Sequence, residues 1–334
     1  MGGWVDDTEM KLVVHVHDLP MWSLPVAQVD RIRRALPQVD IVDVRDSADC
    51  RAAIVDADVA LAPRMQAATL AAATRLRWVH STAVGIGWLP LADLAARGIP
   101  VTNVRGVHAE ILAEHAMALL LGLRRQFPAA DTRRRAREWA QEALAAIPVP
   151  RLSATTVLVV GLGGIGTHVA RYASGMGMRV IGVRRDVTLP PPPGVDRVVP
   201  LSAVRDWLPQ VDHVVLALPH TAETGQVLDA EALALLKPTA LVVNVARGSL
   251  IDEGALAEAL LAGRIGGAGL DVFATEPLPD ASPLWSTPRT IITPHTGACD
   301  GDYWTPAIDC FLENWARFEA GAPLENVVNL ARGY

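Results

Sequence analysis

The chain has 334 residues, of which 51% are hydrophobic and 20% are charged. This composition is typical of an ordered globular protein and excludes a disordered chain, and the length suits two domains of ordinary size. The formal net charge of -6 argues against nucleic acid as a partner, because a phosphate backbone attracts a basic surface. One arginine-rich run, residues 124–137, is interpreted as a solvated helix face with interspersed acids.

Cysteine usage and hydropathy indicate the compartment. Cys50, Cys299 and Cys310 show neither a CxxC spacing nor an even framework, which fits a reducing cytoplasm and suggests no metal site. The N-terminal segment MGGWVDDTEM is acidic and lacks the apolar core of a signal peptide. No apolar run approaches the roughly 18 residues that span a bilayer. We therefore expect a cytoplasmic protein without a membrane partner.

Short apolar segments alternate with helical stretches along most of the chain. Strand-like segments come early as KLVVHVHD, VALA, RWVHS and IPVTN, and later as TTVLVVG, MRVIGV, VDHVVLALP, ALVVNV and GGAGLDV. Between them lie Ala- and Leu-rich stretches of helical length, such as DEGALAEALLAG. This alternation predicts parallel sheets covered on both faces, and so many strands favour two α/β domains.

One helix is predicted between the two strand-rich blocks. Residues 107–125 are apolar over most of the predicted helix surface, which is typical of a core helix or of a subunit interface. The proline-rich break AAIPVPRLS follows at residues 145–153 and precedes the second block. A further proline run, in TLPPPPGVD, predicts a surface loop.

A glycine pattern follows the first strand of the second block. Gly161, Gly163 and Gly166 lie between the strand TTVLVV and a helical stretch, with Gly164 and Ile165 at the helix start. In this context glycines allow a tight turn, close approach to a pyrophosphate and close helix packing, while the helix N-terminus presents free N–H groups. The pattern predicts a dinucleotide-binding site; the alternative is a glycine-rich turn without a ligand.

The end of the next strand, RVIGV, bears on which dinucleotide binds. Folds of this kind place an acid about 20 residues after the glycines, where it accepts from the ribose hydroxyls. Here Arg184 holds that position and Arg185 follows it. Guanidinium groups pair with a 2′-phosphate that a carboxylate would repel, so the sequence favours NADP over NAD. The alternative is that both arginines point into solvent.

Chemically compatible side chains follow three later strands. Arg247 lies in NVARGSLIDEGAL, Asp271 and Glu276 lie in GGAGLDVFATEPLP, and His295 lies in IITPHTGA. Open α/β sheets bind ligands at the carboxyl ends of their strands, so these residues are candidates for one site. Each also has a plainer interpretation, as a surface charge, a turn acid or a loop histidine.

Together these stretches resemble the D-isomer-specific 2-hydroxyacid dehydrogenase family. The matching motifs keep the family's order and include STAVGIGWLPLADLAARGIPVTNVRG, AEHAMALLLGLRR, VVGLGGIG, LPHTAET, NVARGSLIDE, GLDVFATEPLP and TPHTG. The resemblance implies two doubly wound parallel-sheet domains. A Rossmann NAD(P)-binding domain, residues 104–295, would be inserted in a flavodoxin-like substrate domain, residues 1–103 and 296–334.

The resemblance also implies roles for the candidate residues. Arg247 would bind the substrate carboxylate as a bidentate pair, and His295 would be the acid/base at the keto oxygen. Glu276 would hydrogen-bond the imidazole and favour its charged form. Asp271 would bind the nicotinamide carboxamide. The further cofactor contacts implied by the family are Leu218, Pro219, Thr224, Val245, Ala246 and Gly297.

A loop of the substrate domain would hold the substrate through backbone amides. The segment AVGIG matches this loop, so Val84, Gly85 and Ile86 are the predicted donors, with Arg64 nearby. Relatives that oxidise phosphite carry a basic residue at the Val84 position, and relatives that oxidise formate carry glutamine at the Glu276 position. The valine and the glutamate of this chain therefore argue against phosphite and against formate as substrates. The sequence leaves open whether the pocket is lined by the aromatic residues Trp88, Tyr303 and Trp304.

The expected function is therefore reduction of a 2-keto acid to a D-2-hydroxy acid with NAD(P)H. Glyoxylate, hydroxypyruvate or a larger keto acid is the expected substrate. A homodimer is expected, with the helix of residues 107–125 and the arginine-rich arm at its interface. The alternatives are a dinucleotide-sensing binding protein, like corepressors that share this fold, and a phosphite or phosphonate dehydrogenase.

Overall fold

The computed structural model describes residues 10–15 and 23–334. Nearly all of the segment interpreted as lacking a signal peptide, residues 1–9, and the end of KLVVHVHD lie outside the described residues. The strands are β1 (Lys11–Val14), β2 (Asp40–Asp43), β3 (Val59–Leu61), β4 (Trp78–Ser81), β5 (Val101–Asn103), β6 (Thr156–Val160), β7 (Arg179–Val183), β8 (Arg197–Val199), β9 (His213–Leu216), β10 (Leu241–Asn244), β11 (Gly267–Leu270) and β12 (Thr290–Ile292).

Helices connect most of these strands. The α-helices are α1 (Val26–Ala35), α2 (Ser47–Ala53), α3 (Ala67–Ala72), α4 (Leu91–Ala96), α5 (Ala109–Arg124), α6 (Phe127–Arg135), α7 (Gln141–Ala145), α8 (Gly164–Gly175), α9 (Val204–Trp207), α10 (Ala230–Ala234), α11 (Glu253–Leu261) and α12 (Trp304–Glu319). Several begin at an aspartate that caps the first turn: the side chain of Asp252, for example, accepts from the Ala255 amide at 3.0 Å.

The chain divides into two compact units. Residues up to Val107, together with Gly301–Tyr334, form the first, and His108–Asp300 form the second. The domain boundaries given above, with a change of domain near residues 103 and 296, stay a prediction.

The first unit is built on a five-stranded sheet in the order β2-β1-β3-β4-β5, with every pair parallel. This is the flavodoxin-like order. Apolar clusters cover both faces of the sheet. On one face α12 packs beside α1, and Trp78 of β4 stacks on Phe311 of α12 with ring centroids 5.5 Å apart. The C-terminal helix therefore completes the core of the first unit.

The second unit contains a seven-stranded parallel sheet in the order β12-β11-β10-β9-β6-β7-β8. Counted from β6, the six strands up to β11 follow the Rossmann order. Val157 and Val159 of β6 pack on one face with α5 and α8, whereas Leu158 and Val160 pack on the other face. Both faces are buried, which explains why these strands are continuous apolar runs. The predicted fold of two doubly wound parallel-sheet domains is confirmed.

Helix α5 is a core helix of the second unit. It packs against α8 and against β10 and β11. Its last residue, Arg124, is 8% exposed and lies 2.7 Å from Nε2 of His213, the first residue of β9. The interpretation of the whole run 124–137 as a solvated face is therefore wrong for Arg124, because its guanidinium is buried and hydrogen-bonded to His213. The later arginines of the run, in α6, are exposed.

Two absences concern the described residues. No helix among residues 10–15 and 23–334 combines the length and the apolar character needed to cross a bilayer. Within the same ranges, no group of three or more histidine, cysteine, aspartate or glutamate side chains is arranged to hold a metal ion.

Candidate active site

The turn from β6 to α8 is shaped by its glycines. Gly161 has a φ of +108°, and a Cβ there would lie 2.6 Å from the Ala217 carbonyl oxygen. A Cβ at Gly166 would lie 1.7 Å from the carbonyl oxygen of Gly161, so this glycine is required for the helix to pack on the strand. A Cβ at Gly163, by contrast, would meet no atom within 4 Å, and this residue is exposed. The space above Gly163 therefore fits the close approach of a pyrophosphate.

The start of α8 adds donors to this turn. Gly163 is the N-cap residue, and no side chain caps the helix. The first-turn amides, including those of Gly164 and Ile165, are therefore available to an anion at the positive end of the helix dipole. A glycine cradle that a side chain would fill, followed by an uncapped helix, fits a dinucleotide.

The next two strands along the sheet end beside this turn. Leu218 is buried after β9, and the hydroxyl of Thr224 donates to the Pro219 carbonyl at 2.8 Å, which closes the 219–224 turn. Val245 and Ala246 are buried directly after β10. Because β9 pairs with both β6 and β10, these predicted cofactor residues share the carboxyl edge of the sheet with the glycine turn.

The two arginines after β7 have different surroundings. The guanidinium of Arg184 donates to carbonyls of its own loop: to Asp186 at 2.7 Å, to Pro190 at 3.2 Å, and to Leu189. Arg185 is more exposed and lies 3.4 Å from Glu223. Arg184 therefore ties the start of the proline-rich loop to the end of the strand, while Arg185 projects from it.

Arg247 directly follows the turn after β10. Its side chain is half-buried, and among the described residues its guanidinium donates to a single acceptor, the carbonyl of Ala246. Burial lowers the pKa of Arg247, and the carboxylate of Glu276 opposes that shift. A half-buried guanidinium with one backbone acceptor retains several donors for an anion.

Two residues outside the predicted set hold Arg247 in place. The buried side chain of Asn244 donates to the Arg247 carbonyl at 2.8 Å and accepts from the Ala246 amide at 3.0 Å. A Cβ at Gly248 would lie 1.9 Å from the backbone of Phe273, so the chain after Arg247 packs directly on the loop that carries Glu276. Asn244 could have been identified from the sequence by its position at the end of a buried strand.

His295 and Glu276 form a pair. Nδ1 of His295 lies 2.6 Å from Oε2 of Glu276, and Oε1 of the same carboxylate accepts from the Phe273 amide at 2.9 Å. Burial acts to raise the pKa of Glu276, but the hydrogen bonds from His295 and Phe273 and the charges of His295 and Arg247 outweigh it and hold that pKa below its ordinary value. Glu276 is therefore a carboxylate at neutral pH.

A second carboxyl group supports the same loop. Glu253, at the start of α11, accepts from the Ala274 amide at 2.6 Å, one residue beyond the amide that Glu276 holds. Burial raises the pKa of Glu253, the hydrogen bond from Ala274 opposes this, and the charge of Glu276 adds to the rise. Glu253 was not predicted as a site residue, although it lies in the quoted motif NVARGSLIDE.

Asp271 organises the turn that carries His295. Its buried carboxylate accepts from the amides of Thr296 and Gly297 at 2.9 and 3.0 Å and from the Thr293 hydroxyl at 2.7 Å. Burial acts to raise the pKa of Asp271, but these hydrogen bonds and one from His115 outweigh it and lower that pKa. The Asp271 carbonyl also accepts from the His295 amide at 2.9 Å. The predicted contact of Asp271 with the nicotinamide stays a prediction.

The first unit brings together the predicted substrate-loop residues and Arg64. Val84 is 39% exposed, whereas Ile86 is buried and anchors the loop after β4. Arg64 follows β3, the strand next to β4, and the adjacent Met65 amide donates to the Trp88 carbonyl at 3.1 Å. The Tyr303 hydroxyl donates to the Thr82 carbonyl at 3.2 Å, so this aromatic residue braces the base of the loop.

Comparison with known proteins shows the family to which the chain belongs. A sequence model of the "D-isomer specific 2-hydroxyacid dehydrogenase, NAD binding domain" matches residues 117–297. A glyoxylate reductase of Thermococcus gammatolerans is 36% identical over 261 residues, which cover 77% of each chain. The chain belongs to the D-isomer-specific 2-hydroxyacid dehydrogenase family. A family member of known structure, from Aeromonas salmonicida, is 34% identical, with a TM-score of 0.82 over 97% of this chain and all of the other.

Two further relatives differ in length and in name. D-3-phosphoglycerate dehydrogenase of Mycobacterium bovis is 37% identical over 304 residues, which are 91% of this chain but 54% of that protein. The chain therefore spans about half the length of the phosphoglycerate dehydrogenases it matches. An NADPH-dependent glyoxylate/hydroxypyruvate reductase of Sinorhizobium meliloti, solved with NADP and sulfate, is 26% identical, with a TM-score of 0.82 over 97% of this chain and all of the other.

Proposed function

We propose that this chain reduces a 2-keto acid to a D-2-hydroxy acid with a reduced nicotinamide dinucleotide. The observation that carries the proposal is the arrangement around Glu276. This carboxylate binds the His295 imidazole at 2.6 Å and interacts electrostatically with the Arg247 guanidinium. An acid/base group and a carboxylate-binding cation are the two groups that a keto-acid reductase needs from its protein. Membership of the family and the names of its relatives support the same reaction.

Arg247 binds the substrate carboxylate in this proposal. Its guanidinium can form two parallel N–H···O bonds with the carboxylate, and these are stronger than bonds between neutral groups. Partial burial strengthens the pairing, since less water screens it. The amides of Val84, Gly85 and Ile86, with Arg64, are the proposed donors to the substrate from the first unit.

His295 transfers the proton. Its Nδ1 hydrogen is donated to Glu276, which fixes the tautomer and leaves Nε2 as the nitrogen that faces the reaction. Among the described residues, Nε2 has no hydrogen-bond partner. In reduction the Nε2 hydrogen moves to the keto oxygen, and the negative charge of Glu276 stabilises the imidazolium that holds it. A bound nicotinamide supplies the hydride to the keto carbon.

NADP is the proposed preference over NAD. Support comes from the two cations at the end of β7 and from the absence of an acid at the position of Arg184. We assign the direct contact with a 2′-phosphate to both arginines, with Arg184 also holding the loop through its carbonyl contacts. Several relatives are described as complexes with NADP or NADPH, which supports the same preference.

A homodimer in the cytoplasm is the proposed state. No residue of α6 or α7 is buried, and the segment around them exposes Phe127, Trp139, Ile147 and Val149. Trp139 is 91% exposed, which suits an arm that is covered by a second copy. Sedimentation velocity tests this: a species near the mass of one chain, 35.6 kDa, would contradict the proposed dimer.

A panel of keto acids tests the proposed reaction. Glyoxylate, hydroxypyruvate, pyruvate and a larger 2-keto acid are each mixed with NADPH or NADH, and the loss of reduced-nicotinamide absorbance is followed. We expect turnover with at least one keto acid and a higher kcat/KM with NADPH. Binding of NADPH without turnover of any keto acid would overturn the proposal and favour a dinucleotide-sensing protein. Oxidation of phosphite with NADP would favour the other enzyme reaction.

A further inference from the structure

In the loop after β4, three backbone carbonyls accept hydrogen bonds from residues of the first unit. The Ser81 hydroxyl donates to the Ala83 carbonyl at 2.9 Å, the Asn103 side-chain amide to the Val84 carbonyl at 2.8 Å, and the Leu89 amide to the Ile86 carbonyl at 3.1 Å. Each of these carbonyl oxygens is thereby satisfied within the unit.

The orientation of the carbonyls fixes that of the amides. In a trans peptide the C=O and the next N–H point in opposite directions. The peptide bonds of this loop are trans, so the N–H of Gly85 points away from Asn103, and the N–H of Val84 points away from the Ser81 hydroxyl. Among the described residues, the amides of Val84, Gly85 and Ile86 have no acceptor. Successive N–H groups of this kind form an anion-binding concavity.

Asn103 is the side chain best placed to control this orientation. It ends β5, is 3% exposed, and uses both ends of its amide: Nδ2 donates to Val84, while Oδ1 accepts from the Arg105 amide at 3.1 Å. A carboxylate of the same shape would keep the second bond but would place an oxygen against the Val84 carbonyl. The buried position requires a group with one donor face and one acceptor face.

We propose that Asn103 is a positioning residue for the substrate carboxylate, because it holds the Val84 carbonyl and thereby aims the Gly85 amide at the anion. This inference rests on the proposed function. The side-chain partners of Asn103, the Val84 carbonyl and the Arg105 amide, both lie in the first unit, so we expect its effect on binding of the carboxylate and not on proton transfer or cofactor affinity.

The chain offers a matched control in the same unit. Asn314 of α12 is also buried, at 1% exposure, and also uses both ends of its amide. It donates to the Cys310 carbonyl at 3.3 Å and accepts from the Glu325 amide at 2.7 Å, and neither partner belongs to the substrate loop. Asn314→Asp therefore reproduces the structural cost of Asn103→Asp without touching the loop.

The test compares Asn103→Asp, Asn103→Ala and Asn314→Asp with the wild-type chain. KM and kcat are measured with a keto acid, and binding of oxalate, an unreactive dicarboxylate, is measured by calorimetry on the NADPH complex. We expect both Asn103 variants to raise KM and the oxalate Kd by about tenfold or more, while kcat and the Kd of NADPH stay close to wild type. Asn314→Asp should lower the Tm without changing KM or oxalate affinity.

Different outcomes would contradict the role of Asn103 and the proposed reaction. Unchanged oxalate affinity in folded Asn103→Ala would overturn the inference, and so would an equal loss of affinity in Asn314→Asp. A wild-type chain that turns over no keto acid but binds oxalate more tightly than the Asn103 variants would contradict the proposed function and support the anion-binding loop.

Discussion

His295 and Glu276 are joined by a hydrogen bond of 2.6 Å between Nδ1 and Oε2, and the same carboxylate also holds the Phe273 amide. One carboxylate therefore sets both the tautomer of the imidazole and the path of the loop beside it. The pair lies in a single unit with the glycine turn and Arg247.

Removing the charge of Glu276 should slow proton transfer. Glu276→Gln keeps an acceptor for Nδ1 but replaces a charge-assisted bond by a neutral one, so the imidazolium loses about 1–2 kcal/mol of stabilisation. We expect kcat to fall by about tenfold or more with little change in KM. Glu258→Gln, at an exposed position of α11, is the control and should leave kcat unchanged. Equal kinetics for the two variants would remove Glu276 from the mechanism.

Lysine at position 247 should not reproduce the function of Arg247. A point charge cannot reproduce the two parallel hydrogen bonds of a guanidinium, so Arg247→Lys should chiefly raise the KM for the keto acid, by about tenfold or more. The Kd of NADPH should stay unchanged, because the glycine turn is untouched. Steady-state kinetics with a keto acid of the panel measure the effect. Kinetics close to wild type would show that another group binds the carboxylate.

The two arginines after β7 should control the choice of cofactor. We expect Arg184→Asp, Arg185→Ser to lower kcat/KM for NADPH by about tenfold or more while sparing NADH, because a carboxylate repels a 2′-phosphate. The single variant Arg185→Ala should weaken binding of NADPH but not of NADH, since it leaves in place Arg184, whose guanidinium donates to the loop carbonyls of Asp186 and Pro190. A double variant that keeps its NADPH preference would make both arginines surface charges.

The free energy of unfolding should decrease at acid pH because His213 is buried. Burial, reinforced by the charge of Arg124, lowers the pKa of His213 to about 3. Between that value and the ordinary pKa near 6.5, the unfolded chain binds a proton at His213 that the folded chain does not. The contribution of neutral His213 to the free energy of unfolding is therefore complete above about pH 6.5, and it is lost progressively as the pH falls toward 3.

The size of this effect can be isolated with a neutral acceptor. Lowering the pH from about 7.5 to about 5.5 should reduce the free energy of unfolding by about 1.4 kcal/mol through His213. His213→Gln removes the titrating group and keeps an acceptor near Arg124, so urea unfolding of this variant should show a pH dependence smaller by that amount. An unchanged pH dependence would mean that His213 titrates alike in both states.

The predicted and the missed strands differ in where they lie. All nine apolar segments singled out in the sequence contain strands of the two sheets, and the apolar segment expected before His295 forms a further strand, β12. Two strands, β2 and β8, were missed. Both are edge strands, and most of their residues are only half-buried or exposed. An edge strand buries less surface and so requires fewer apolar residues, which weakens its pattern in the sequence.

The same reasoning explains which site residues were found. Arg247, Glu276 and His295 were predicted because each follows a strand in a motif of the family, and parallel strands end at one edge. Asn103 and Glu253 act through single hydrogen bonds to loops 19 and 21 residues away along the chain. Neither periodicity nor motif spacing encodes such a contact. The burial of Arg124 depends on its contact with His213, 89 residues away, and could not be predicted from the sequence for the same reason.

The most direct test of the central claim is His295→Asn, with turnover and cofactor affinity measured on the same preparation. Asparagine keeps a polar side chain but cannot carry the proton at Nε2, so kcat for the keto acid should fall by about 100-fold or more. The Kd of NADPH, measured by quenching of its fluorescence, should stay at the wild-type value. A variant that retains most of its turnover would contradict the assignment of His295 as the acid/base group, and with it the proposed mechanism.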